Sequence, residues 1–345
     1  MRISQVLCAA GPVDAVTNQA FAWRRKFDSW GWDGADYTAR VAPGFSSPAL
    51  RSLRQLQPGE EEVVVVHYSG YAPGLERLAA AAPRMLLLSH NITPARYFWA
   101  TDPVTAGVCA LGREQLAQLA KRAGAVAAVS EFNARELEAL SGRPANVIPV
   151  LFEPASSPDG VRPDGPPVVL FVGRLAPHKR QDLVIAAFAR YRRRDPAARL
   201  VLVGSPATAE FGSALRALAD RLAPDAVAFE AGISRARLAS HYAQADAFLC
   251  LSEHEGFCIP LLEALYFGVP VIARDAGAVA EVLGDAGMLL GKEDSTATVA
   301  ELLRIVVGDR ELRSELRARG QRRLERYDAA ATAERLRSAV TELAA

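Results

Sequence analysis

The sequence predicts an α/β protein made of two doubly wound domains, and three observations carry that expectation. Short runs rich in valine, isoleucine and leucine, such as 62–68 and 168–172, recur in both halves, each followed by a segment of helical length. The runs are near-continuously apolar, the pattern of parallel strands covered on both faces. A stretch dense in Pro, Gly, Ser and Asp, 154–167, interrupts the series, and 345 residues exceed one ordinary core. The expected division is 1–153 for the first domain, 154–167 for a hinge-like linker and 168–328 for the second, followed by a last helix, about 329–345.

Composition narrows the function. Half of the residues are apolar, 23% are charged and the net charge is +1, which argues against a general nucleic-acid binder. Cys8, Cys109, Cys250 and Cys258 form no CxxC pair, so free buried thiols in a reducing cytoplasm are expected. The five histidines show no metal-ligand spacing. Ile3–Ala10 is too short for a signal segment and contains Ser4 and Gln5; it reads as a first core strand. No stretch has the length of a membrane-spanning helix.

In the first half, Val16, Ala20, Trp23, Phe27 and Trp30 recur at helical steps and form a core stripe. The neighbouring Arg24-Arg25-Lys26 run reads as a solvated face, with contact to anionic lipid headgroups as the alternative. Strands at Glu62–Tyr68 and Met85–Ser89 place His67 and His90 at strand ends, the edge where α/β sheets bind ligands. Further on, a helix is expected over Arg113–Arg122, a strand over Ala125–Val129, and a helix from Ala134 capped at Ser130.

In the second half, the strand Val168–Val172 runs into Gly173-Arg174-Leu175-Ala176-Pro177-His178-Lys179. Two cations five residues apart at a helix start can hold a diphosphate and stabilise charge on a leaving group. A second strand, Ala247–Leu251, leads into Ser252-Glu253-His254-Glu255-Gly256-Phe257-Cys258-Ile259-Pro260-Leu261-Leu262-Glu263. Pro260 suits the start of a helix, Gly268 its end, and Val269–Ala273 a following strand. Backbone amides at that helix start favour an anion, and Glu263, expected in the first turn, can accept the two hydroxyls of a ribose.

The 252–263 string resembles the Glu-x7-Glu motif of the retaining, nucleotide-sugar-dependent glycosyltransferases of family 4 (group 1), with Cys258 where a glycine is common. Gly173-Arg174-x4-Lys179 resembles that family's diphosphate clamp, and His90-Asn91-Ile92-Thr93-Pro94 recurs in one of its branches. The resemblance implies the GT-B fold, two Rossmann-like domains facing across a cleft with the last helix, about 329–345, packing back on the first, and transfer of a hexose from a nucleoside-diphosphate sugar to a hydroxyl without a metal. It implies donor contacts from Gly11, Gly173, Arg174, Lys179, Ile233, Glu255, Glu263 and the segment Gly256, Phe257, Cys258 and Ile259. Arg174 and Lys179 would neutralise the diphosphate, Glu263 hold the ribose, Glu255 orient the hexose, and His90 lie beside the reacting carbon; His67 is a candidate acceptor contact. A cytoplasmic enzyme, peripheral on the inner face of a membrane if it touches one, is expected. An epimerase or phosphorylase on the same fold, and a non-catalytic sugar-nucleotide-binding subunit, stay open.

Overall fold

A computed structural model describes residues 1–12, 14–154 and 165–345; most of the linker assigned to 154–167, and the hinge expected there, lie outside the described residues. The chain divides into two compact units, one made of 1–99, 103–151 and 327–345, the other of 100–102 and 152–326.

The first unit runs β1 (Ile3–Leu7), α1 (Ala15–Ser29), β2 (Asp36–Thr38), β3 (Leu50–Ser52), β4 (Val63–Tyr68), α2 (Leu75–Ala81), β5 (Met85–Ser89), α3 (Pro103–Arg122), β6 (Ala125–Ala128), α4 (Glu131–Ser141) and β7 (Asn146–Val147). Its seven strands are parallel, in the order β3-β2-β1-β4-β5-β6-β7. All six residues of β4 are buried, because helices cover both faces of the sheet. Ala20, Trp23 and Phe27 are buried as a core stripe, while Val16 and Trp30 lie nearer its margin. Arg24 is not part of a solvated face: it donates to Asp36 at 2.6 Å and to the Ile3 carbonyl at 3.1 Å. A basic strip for lipid headgroups therefore lacks its first member.

The second unit runs β8 (Val168–Val172), α5 (Gln181–Arg192), β9 (Arg199–Val203), α6 (Ala209–Leu222), β10 (Val227–Glu230), α7 (Arg235–Gln244), β11 (Ala247–Cys250), α8 (Ile259–Tyr266), β12 (Val271–Arg274), α9 (Val279–Leu283), β13 (Gly287–Leu290), α10 (Thr296–Gly308) and α11 (Arg310–Glu325). Its six strands, all parallel, are ordered β10-β9-β8-β11-β12-β13. Val169, Phe171, Phe188, Leu200, Leu249 and Leu303 lie in its core. The last helix, α12 (Ala329–Ala344), belongs to the first unit, where it packs against β4 and β5.

In each sheet the strand order reverses once, between β1 and β4 and between β8 and β11. At such a switch point the two neighbouring loops leave the carboxyl edge toward opposite faces and open a crevice. In the second unit those loops are 173–180 and 251–258, the two segments with the chemically informative sequence.

Candidate functional site

The turn after β8 passes tightly under the next strand. A Cβ on Gly204 would lie 1.9 Å from the Gly173 carbonyl oxygen, so Gly204, at φ +154°, tolerates no side chain. The chain then reaches a short 3-10 turn, Pro177–Lys179, and α5. The Lys179 ammonium donates to both oxygens of Glu255, at 2.6 and 2.7 Å, bridging the two loops across the switch point. Burial by itself would discharge both groups. Burial pulls the Lys179 pKa down, but the Glu255 charge outweighs it and the net shift is upward. Burial likewise pushes Glu255 up, and Lys179 together with the Ser252 hydroxyl reverses it to a net lowering. The pair is therefore charged.

Other contacts tie the same two loops. Glu253 donates its N–H to the His178 carbonyl at 2.8 Å. Arg180, just ahead of α5, bonds Asp182 in the first turn of that helix at 3.0 Å and also pairs with Glu253, and the Arg274 guanidinium lies 3.7 Å from Glu253. Behind Glu255 stands Gly277, where a Cβ would sit 2.1 Å from the Glu255 carbonyl oxygen. That same oxygen accepts the Ala278 N–H at 3.0 Å. The backbone at Glu255 is thus clamped from one side and its carboxylate from the other.

Cys258 stands at the start of α8 with φ 72° and ψ 68°, a left-handed conformation that an L side chain rarely adopts. The residue departs from the motif's glycine while keeping the conformation glycine favours, so the loop path is retained. Among the described residues the amides of Cys258 and Ile259 have no hydrogen-bond acceptor. Phe257 is buried, and Gly256 and Ile259 are half-buried. The Cys258 thiol lies 4.0 Å from that of Cys250. With Glu255 these form a buried group whose ligand-type atoms lie within 4.8 Å of one another, but Lys179 already holds both carboxylate oxygens.

Arg174 is exposed and makes no ion pair among the described residues. It is close enough to contribute, with Lys179 and after burial, to holding His178 at about 3. Glu263 is the fifth residue of α8, one turn in rather than in the first turn as the sequence suggested. Its Oε2 accepts the Tyr242 hydroxyl at 2.7 Å, and burial raises its pKa despite that bond. Tyr242 is itself fixed by stacking on Phe267, with ring centroids 5.5 Å apart and 8° between planes. Ile233 is half-buried in the loop after β10, close in sequence to a cavity of about 110 Å³ lined by Leu175, Gly204, Pro206, Phe229 and Glu230 among others.

Sequence reasoning missed Tyr242, Arg180, Cys250 and Gly277. Only Cys250 carried a signal, eight residues before Cys258 at a strand end; the other three act through contacts between distant segments.

In the first unit Gly11 follows β1 and His67 is the last residue but one of β4, the strands flanking the switch point, and His90 follows β5. The Gly11 amide already donates to Thr17 Oγ1 at 3.1 Å, so it is engaged within the unit rather than open to a phosphate. His67 is fully buried, and its Nδ1 lies 3.0 Å from His90 Nε2. Burial lowers both rings, His90 to about 4 and His67 well below the usual histidine value.

Two all-parallel doubly wound units are the parts of the GT-B fold, and the second carries cations, a buried acid and a helix start at its switch point. Solved structures agree on the fold. Sucrose-phosphate synthase from Thermosynechococcus elongatus superposes with a TM-score of 0.77 at 18% identity, covering 99% of this chain and 98% of the other. Anabaena HepE, solved with UDP and glucose, gives 0.78 at 17% identity and 99% coverage of each. Residues 153–323 match the family described as glycosyl transferases group 1, and the second unit belongs to that family. The D-inositol 3-phosphate glycosyltransferase of Nocardia farcinica is 30% identical over 317 residues, 81% of this chain and 66% of the relative. The chain thus spans just under two thirds of that relative's length.

Proposed function

We propose that the protein is a retaining glycosyltransferase of family 4 that moves a hexose from a nucleoside-diphosphate sugar to a hydroxyl acceptor. The observation that carries this reading is the Lys179–Glu255 bridge across the switch point, with exposed Arg174 on one loop and the unbonded amides of Cys258 and Ile259 on the other. Positive charge and N–H donors from both loops then converge on one anionic ligand.

In this reading Arg174 and Lys179 take the diphosphate and stabilise the charge that grows on it as its bond to the sugar breaks. Glu255, released in part from Lys179 by the phosphates, orients the hexose. Glu263 accepts ribose hydroxyls through its second oxygen, with Tyr242 holding the first. The bond from the anomeric carbon to the diphosphate breaks and a bond to the acceptor oxygen forms on the same face. The acceptor's proton passes to the departing phosphate oxygen, so no side-chain base is required. Positive charge comes from the protein, and the proposal needs no resident metal. His90 contributes a contact to the sugar, as the family resemblance implies.

The test is a thermal-shift panel of UDP, GDP, ADP and their sugars, followed by detection of free nucleoside diphosphate and glycosylated product with a broad set of hydroxyl acceptors. Stabilisation by one nucleotide with transfer of its sugar is expected. Binding with no turnover on any acceptor would reject transfer in favour of a binding subunit.

No helix among the described residues is long and apolar enough to cross a membrane.

A further inference from the structure

We propose that His67 is a positioning residue: held by Gln5 and Asp36, it fixes His90 in the Nε2–H tautomer and leaves the His90 Nδ1 lone pair to accept a hydroxyl of the bound sugar. That the hydroxyl belongs to a sugar rests on the function proposed above; the tautomer does not.

Atoms that can only accept set the order of protons along this chain of contacts. The Gln5 amide nitrogen lies 2.9 Å from the Ala20 carbonyl and 2.9 Å from the Asp36 carboxylate. Both partners are pure acceptors, so turning the Gln5 amide over would set three oxygens against one another. Its Oε1 must therefore be the atom 2.8 Å from His67 Nε2, and that nitrogen must carry a proton. Arg24 holds the far end in place, donating to the same Asp36 oxygen at 2.6 and 3.0 Å.

A neutral His67 protonated on Nε2 has a lone pair on Nδ1, which lies 3.0 Å from His90 Nε2. His90 must then donate from Nε2, and its own Nδ1 is an acceptor. Burial keeps both rings neutral near pH 7, so a second proton does not disturb this order. The His90 backbone N–H is bonded to the Tyr68 carbonyl at 2.8 Å, and among the described residues Nδ1 has no partner.

The fold builds the relay from its switch-point strands. Asp36 lies opposite Gln5 in the β2–β1 register, and His67 lies opposite Leu7 in the β1–β4 register. His90 follows directly on β5, the next strand over. Buried polar chains in which every member is satisfied are rigid, and their rigidity sets the direction of the terminal lone pair.

The test uses the full chain labelled with 15N in its histidines. In long-range proton–nitrogen correlation spectra at pH 7, both His67 and His90 should show a protonated Nε2 and an unprotonated Nδ1. His67→Phe, which keeps a ring and removes the acceptor, should leave His90 a tautomer mixture. It should also lower kcat for nucleoside-diphosphate release about tenfold, the size of one lost neutral hydrogen bond. His67→Asn, whose amide oxygen falls near the lost Nδ1, should recover most of both. A His90 protonated on Nδ1 in the unaltered protein would overturn the relay, whatever the kinetics. The expected tautomer in a protein that releases no nucleotide from any sugar donor would support the relay and overturn the transferase reading.

Discussion

The Lys179 ammonium sits on both oxygens of Glu255, 2.6 and 2.7 Å away, with the lysine side chain 19% exposed and the glutamate 6%. This pair makes the two residues interdependent in a way their separation in the chain, 76 positions, does not suggest. Removing one partner of a buried pair strands the other, typically at a cost of about 3–5 kcal/mol. Lys179→Met should therefore lower the unfolding temperature as well as the turnover. The double variant Lys179→Met, Glu255→Gln should regain much of the stability and none of the activity. Thermal unfolding followed beside a transfer assay would show this. Equal stability of Lys179→Met and the unaltered protein would contradict the charged pair.

Arg174 offers the complementary case. Exposed and without an ion pair among the described residues, it contributes little to folding. Arg174→Ala should unfold at an unchanged temperature yet turn over about 100- to 1000-fold more slowly, the usual effect of deleting a donor aimed at developing charge. Calorimetry with the nucleoside diphosphate should register weaker binding. Unaltered affinity and rate would remove Arg174 from the phosphate site.

Acid should destabilise the protein early. His90 titrates at about 4 and His178 at about 3, against about 6.5 in the unfolded chain. Between those limits the unfolded state binds more protons, so stability rises with pH. The contribution is fully present above about pH 6.5 and is lost progressively as pH falls toward 4 and below. Glu255, whose pKa is lowered, loses its share in the same direction at the acid end. Glu263, whose pKa burial raises, works the other way. Unfolding temperatures measured from pH 7.5 to 4.5 should fall. In His90→Gln the decline should be shallower.

Cys258 and Gly277 make a pair of opposite predictions about the Glu255 loop. Cys258 already holds a left-handed backbone at φ 72°, so Cys258→Gly relieves strain while losing a thiol contact, and stability should change by less than about 1 kcal/mol. Cys258→Val, β-branched at positive φ, should be clearly destabilising. Gly277→Ala drives a methyl onto the Glu255 carbonyl, and nucleotide binding should be lost with it. Chemical denaturation of the three variants orders them; a tolerated Gly277→Ala would deny the close approach.

The clamp strand and its cations, the Glu-x7-Glu string, the proline and glycine bounding α8 and the Ser130 cap were all legible in the chain, because each depends on neighbours within a few residues. Continuous valine and leucine runs likewise announced buried parallel strands. The short strands Leu50–Ser52, at the edge of the first sheet, and Asp36–Thr38, next to it, were not legible. They hold by register with β1 and with each other, and carry no apolar run. The start of α3 at Pro103, ten residues ahead of the expected Arg113, was also hidden. Gly107 and Gly112 weaken the local helix signal, and Gly112 is required because a Cβ there would meet the Tyr71 backbone nitrogen at 2.7 Å.

The sequence by itself determined the two doubly wound domains, the family and the identity of the charged residues at the strand ends, since strand and helix periods and motif spacings are local. Only the tertiary structure decided which of those residues meet. It set Lys179 on Glu255, Tyr242 on Glu263, Arg24 on Asp36 and His67 between Gln5 and His90. The partners in each set come from separate segments of the chain, and their side chains meet only after the sheet order places those segments side by side.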